Sequence, residues 1–259
     1  TIVGALVNAV IDPVLIFSLD LGLTGAAIAS VISRVVIAAM ALLPIIRHYG
    51  GFDRPTVSGL QADAGAVFGI AGPAILTQLA TPTGQAIVTR MVAGYGEAAV
   101  AGMAISGRLT PVALGVIFAM SGAVGPIIGQ NYGAGRMDRV RRAFWDALIF
   151  AALVVAISAA ILFVLRAPIA DLFHAEGLTR DLVYLFCGPL CLLFFFNGAI
   201  FVATSACNNL GAPLASTAIN WGRHTLGTVP FALWLGGIWG AEGVLIGQAA
   251  GGVVFGLLG

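Results

Sequence analysis

Apolar residues fill the chain in runs of about twenty positions, and short polar or glycine-rich turns separate one run from the next. A helix of about that length crosses the roughly 30 Å hydrocarbon core of a bilayer. The pattern predicts eight spans, at 1–19, 22–46, 66–93, 98–128, 141–165, 181–207, 212–236 and 239–259. Two-residue alternation, the mark of an outer-membrane barrel, is weak. Glycine and proline recur inside the spans, with 35 and 11 in the whole chain. Membrane helices tolerate both where neighbouring helices satisfy the freed backbone groups. The expected fold class is all-α, a polytopic membrane protein.

Composition agrees with that pattern. Of the 259 residues, 59% are hydrophobic and 9% charged, with a mean hydropathy of +1.03. A soluble domain carries about 25% charged residues. A net charge of +1 supplies no basic field for nucleic acid. All twelve basic side chains are arginine. Cys187, Cys191 and Cys207 lie in or beside apolar spans without His or carboxylate partners, and read as small buried apolar residues. No metal site and no organic cofactor is expected. No charged segment precedes the first apolar run, so no cleavable signal is expected either.

Loop charges set an orientation. One set of loops holds Arg47, Arg54 and the cluster Arg136, Arg139, Arg141 and Arg142, while the opposite set holds only Arg166 and Arg180. The positive-inside rule puts the first set, and both ends of the chain, in the cytoplasm. Opposite lie Glu97 and the 166–181 loop with Asp171, Glu176 and Asp181. Arg34, Arg90 and Arg108, in or near span ends, are expected to snorkel to the interface. The Arg136–Arg142 cluster reads as a topology determinant that can touch anionic head groups.

An internal repeat organises the spans. Asn8 followed by GLTGAA at 22–27 recurs as Asn220 followed by GIWGAE at 237–242. This predicts a duplicated six-helix bundle: residues 1–50 as the last two helices of an N-terminal lobe, 51–65 as a cytoplasmic linker, and 66–259 as a C-terminal lobe. The expectation is a fragment carrying eight of twelve helices, with about four preceding Thr1.

Charge inside the first span points to chemistry. Asn8 and Asp12 are four residues apart on one helix face. Pro13 withholds an N–H from the carbonyl of Ala9 and is expected to kink the helix. A carboxylate, a carboxamide and a free carbonyl within one turn can bind a proton or a small hard cation. An intramembrane carboxylate is a functional-site hypothesis by default. In the second span Gly22, Gly25, Ala26, Ala27 and Ala29 permit close helix approach, and Ser30 offers a hydroxyl near the Asp12 level. Gln78, Thr81, Gln85 and Asn197 are candidates for lining a cleft, as is His224, which follows Asn220 by the spacing that separates Asp12 from Asn8.

The segments N-x3-DPVLIF with GLTGAAIAS, GPAI at 72–75, YGEAAVAGMAISGRL at 95–109 and IIGQNYGAGRMDRVRRA at 127–143 resemble the multidrug and toxic compound extrusion (MATE) transporters. The likeness covers essentially the whole chain, and GQNYGAGR is its most specific part. It implies a twelve-helix, two-lobed cation-coupled exporter. In that family's proton-coupled branch an Asn and an Asp on the fifth helix, a hydroxyl on the sixth and an Asp on the first form a cation site. Asn8, Asp12 and Ser30 match the first three, with Ser30 where Thr is usual. Sodium-coupled members carry a Glu on the seventh helix and an Asp on the tenth; Thr81 and Asn197 fall near those places. Coupling through the first lobe is favoured.

The functional expectation is a secondary antiporter, not an enzyme. It would take up H+ or Na+, H+ being favoured, and export drugs and other organic, often cationic, molecules. Its partners would be those small molecules and the bilayer of the cytoplasmic membrane, with no nucleic acid and a monomeric state. A lipid-linked saccharide flippase is the alternative, disfavoured by few intramembrane cations. An intramembrane enzyme lacks a zinc motif, paired catalytic Asp residues or a Ser–His pair.

Overall fold

The computed structural model describes residues 2–48, 50–51 and 56–258. Arg54, one of the arginines used for orientation, lies outside the described residues. The described chain is helical, and its contacts separate residues 1–64 from 65–259.

The first unit is a helical hairpin. Helix α1 (Ile2–Pro13) runs into a wider π-type turn, Val14–Ser18, and α2 (Gly22–His48) follows. Pro13 sits at the transition, where its missing N–H loosens the helical ladder. Residues spaced by four on α2, namely Gly25, Ala29 and Ser33, are buried against α1. A methyl group on Gly25 would press on the backbone of Leu15, and one on Gly4 would overlap the Ile37 side chain. Small residues therefore set how closely the two helices approach.

The second unit holds α3 (Val57–Ala93, mostly within it), α4 (Glu97–Gly133), α5 (Met137–Leu172), α6 (Gly177–Leu185), α7 (Cys191–Asn209), α8 (Pro213–Gly222) and α9 (Val229–Leu258). π-type turns at Phe186–Leu190 and Arg223–Gly227 join α6 to α7 and α8 to α9. Among the described residues of both units, five stretches, α2 of the first unit being one, are long and apolar enough to cross a bilayer by length and composition. The longest, Pro213–Leu258, has 46 residues, more than twice what a bilayer needs. It turns back at Gly240, whose φ of 64° and ψ of −139° suit glycine alone. The expected seventh and eighth spans therefore meet at one residue. A further span consists of two parts, Val57–Gly69 and Ala71–Ala93, bent by 44°. The Ile2–Ser18 segment is shorter than these.

Packing is inverted relative to a soluble protein. On α5 the buried stripe is Ala147, Ala151, Val155, Ala159 and Leu162, while Ile149, Leu153, Ile157, Ile161 and Val164 are exposed. On this helix the side facing protein is mostly small, with alanine at three of those five positions, and the exposed side is large and apolar, as suits contact with lipid. The main core joins α4, α5, α6 and α7 around Leu114, Ile117, Val155 and Val202, and a second cluster joins α3, α4 and α9 around Val88, Val92 and Val244. Cys187 and Cys191 are buried free thiols, and Cys207 is half-buried.

Candidate functional site

Two places hold the residues singled out above, one in each unit. In the hairpin, Asn8 and Asp12 are half-buried on α1. The Asp12 Oδ1 atom is buried and has no hydrogen-bond partner among the described residues. Buried polar atoms are nearly always paired, so this oxygen is free for a proton, an ion or a further group. Ser30 is exposed, and its carbonyl accepts a 3.0 Å hydrogen bond from Ser33 Oγ. No hydrogen bond joins Asn8, Asp12 and Ser30 among the described residues. Ser33, buried on the α1 side of α2, was not singled out from sequence.

The second unit holds a partly open cavity of about 500 Å3. Thr81 and Gln85 on α3, Asn197 on α7 and His224 in the Arg223–Gly227 turn all line it. Gln78 does not; it is exposed on α3. Ser106 and Thr110 add hydroxyls from α4, but each donates to a carbonyl one turn earlier in its own helix. Gln248 on α9 reaches Gln85 at 3.4 Å. Aromatic rings form one wall: Phe118 lies 6.0 Å from Phe194 and 5.3 Å from Phe201, centroid to centroid.

Arg223 is the lining residue that sequence reasoning passed over. It is only 6% exposed, in the middle of an apolar span. Its Nη1 donates to Asn197 Oδ1 at 2.6 Å and its Nη2 to His224 Nε2 at 2.6 Å. Arginine has no acceptor, so His224 Nε2 accepts and its ring is the neutral tautomer with the proton on Nδ1. Arg223 Nε is buried without a hydrogen-bond partner among the described residues. The available signal was an ionisable residue at mid-span, which membrane energetics makes expensive.

The local sequence builds this cluster. The π-type turn opens the helix, and Thr228 Oγ1 donates to the Arg223 carbonyl at 2.8 Å. Glycines clear the space: a methyl on Gly84 would overlap the His224 imidazole, and one on Gly252 would crowd the Asn197 amide. Gly222 and Gly227 let the turn rest on the Phe255 ring. Downstream, Gly243, Gly247 and Gly251 meet the backbone of Leu235, Ala232 and Gly227. Asn220, the repeat counterpart of Asn8, is buried and donates to Thr204 Oγ1 and to the Ser216 carbonyl, both at 3.0 Å. It takes no part in lining the cavity. Among the described residues no cluster of three or more His, Cys, Asp or Glu is placed to hold a metal.

Comparison with known proteins fits this architecture. The MatE family model matches residues 73–234. An FAD transporter of Shewanella oneidensis is 30% identical over 94% of this chain and 55% of its own length. The multidrug export protein MepA of Staphylococcus haemolyticus is 24% identical over 92% of this chain and 53% of its own. The solved structure of a mutant of the Vibrio cholerae MATE transporter VcmN superposes with a TM-score of 0.87 at 27% identity, covering 98% of this chain and 58% of that one. The chain thus spans about half the length of these curated relatives. With the family model matching well over half of its residues, the chain belongs to the MatE family.

Proposed function

We propose that the protein is a cation-coupled antiporter that exports organic molecules across the cytoplasmic membrane, with H+ as the coupling ion. The observation that carries this reading is Asp12: a carboxylate oxygen buried without a partner, one turn from Asn8, beside a helix that widens at Pro13. A carboxylate so placed has a reason to bind a proton or cation. Alternating exposure of Asp12 to the two sides, with protonation changing the stability of each state, would couple proton entry to export. The named relatives offer two substrate classes, drugs for MepA and FAD for the Shewanella protein. The cavity of about 500 Å3 with an aromatic wall suits an organic substrate of either kind.

The arginine cluster supports a cytoplasmic placement of the α4–α5 turn. Arg136, Arg139, Arg141 and Arg142 lie exposed at the N-terminus of α5, where a helix dipole disfavours cations. Helix stability does not account for them, which supports their reading as a topology signal. The protein is read as working as a monomer.

The test is uptake and efflux by the full-length protein in an efflux-deficient host and in proteoliposomes. Ethidium efflux should collapse with a proton uncoupler and persist without sodium. Asp12→Asn should lose efflux driven by a pH gradient while still binding ethidium. Wild-type rates in Asp12→Asn would remove the coupling role, and sodium dependence would replace H+ with Na+.

A further inference from the structure

The geometry points to an anion-binding subsite at Arg223 in the cavity of the second unit: we propose that this cavity takes planar aromatic molecules bearing a phosphate group. The proposal deepens the transport reading above and rests on it for calling the ligand a substrate.

Charge balance comes first. Arg223 keeps only 6% of its surface exposed, yet no carboxylate lines the cavity among the described residues. The ion pairs of the described residues, Arg142 with Asp146 and Arg180 with Asp171, leave Arg223 out. Both acceptors it meets, Asn197 Oδ1 and His224 Nε2, are neutral. Hydrogen bonds of that kind orient a guanidinium without cancelling its charge. A guanidinium carries five N–H groups, and here Nε is buried with none of its hydrogen-bonding satisfied. A buried cation held by neutral partners, with donor capacity left over, is arranged for an anion.

Geometry narrows the anion. The planar fork of arginine matches the oxygens of a phosphate two at a time, which an ammonium cannot do. Asn197 and His224 hold the fork from two different segments, α7 and the turn after α8, so its plane is fixed before a ligand arrives. Beside it the wall is aromatic: the guanidinium carbon lies 6.0 Å from the centroid of Phe201, which packs on Phe118. An anion anchored at Arg223 would leave the rest of the ligand against Phe118, Phe194 and Phe201, surfaces that stack on flat rings.

FMN and riboflavin test this, because they share a ring system and differ by one phosphate. Binding would be followed by flavin fluorescence with the full-length protein in phosphatidylcholine nanodiscs. FMN is expected to bind at least tenfold more tightly than riboflavin. Arg223→Gln should remove that difference, weakening FMN at least tenfold more than riboflavin, and Arg223→Lys should restore part of it. Inorganic pyrophosphate should displace FMN from the wild type and not riboflavin, a measurement that needs no variant to fold. A purely structural Arg223 would affect both flavins alike, and that result overturns the proposal. So does equal affinity for the two flavins in the wild type. Failure of FMN to bind also overturns it, and Arg223-dependent retention of phosphatidylglycerol in its place would assign the site to a lipid head group. None of these measurements needs a proton gradient. Uncoupler-insensitive efflux with FMN binding intact would sink the antiport reading and leave the subsite standing.

Discussion

At the scale of single residues, the polar cluster in the second unit depends on what is missing around it. Gly84 leaves the space that His224 fills, so Gly84→Ala should force the imidazole to rotate and strain the Arg223 contact. Overpacking of this kind costs about 1–3 kcal/mol. Thermal melting in detergent checks it, and the double variant Gly84→Ala with His224→Ala should recover most of the loss. Additive losses in the double variant would mean that the two positions do not communicate. Thr228→Val removes the hydroxyl that supports the Arg223 carbonyl and should cost about 0.5–1.5 kcal/mol. Several members of the cavity were readable from sequence because polar residues within lipid-soluble runs are few: Thr81, Gln85, Asn197 and His224. Gln78 stands apart from that cavity, exposed on α3 between Pro73 and Pro82, where the two prolines disturb the helical spacing that would say which way it faces. Arg223 was hidden by treating arginine as a topology marker, and no pattern of spacing shows that its partners are neutral.

At the scale of elements, helix pairs are set by glycine rather than by interlocking large side chains. Gly243, Gly247 and Gly251 bring α9 onto the backbone that precedes its turn at Gly240. Gly247→Val should therefore prevent the close crossing and cost about 3 kcal/mol or more. Gly237→Ala, at a glycine with nothing near it, should leave the melting temperature unchanged or slightly raised. If both variants melt alike, the stripe is not a contact. The membrane-helix character was legible because lipid imposes a simple length rule, and among the described residues five stretches and one bent pair meet it while Ile2–Ser18 falls short. The three π-type turns were not, since proline and glycine merely permit them and tertiary contacts decide where they form. The turn at Gly240 was not legible either: the repeat pairs Gly22 with Gly237, yet the left-handed backbone falls at Gly22 in the first unit and at Gly240 in the second.

At the scale of the molecule, orientation and electrical driving force belong together. A cysteine replacing Arg139 should react with an impermeant maleimide only from the cytoplasmic face, and one replacing Glu176 only from the opposite face. The reverse pattern would invert the topology. Export of an anion against inward proton movement transfers charge in the same sense twice. Each additional negative charge on the substrate adds about 2.3 kcal/mol per 100 mV, about fiftyfold in accumulation. In proteoliposomes with an imposed potassium diffusion potential, negative on the side that supplies substrate, FMN efflux should rise far more steeply with voltage than riboflavin efflux. Equal voltage dependence would show that the phosphate does not travel as a charge.

The wide turn at Arg223–Gly227 has one more consequence, and it concerns phase. An α-helix advances about 100° per residue, so one residue more or fewer rotates everything beyond it by that angle. Upstream, Thr217 and Trp221 are tied to the α3 backbone through the carbonyls of Pro73 and Leu76. Downstream, Ala232 and Leu235 present bare backbone to Gly247 and Gly243. Both sets of contacts are satisfied only with the turn's present residue count. Removing one residue would leave the chain able to keep its anchor on α3 or its seat on α9, but not both. This segment should therefore accept changes of side chain more readily than any change of length.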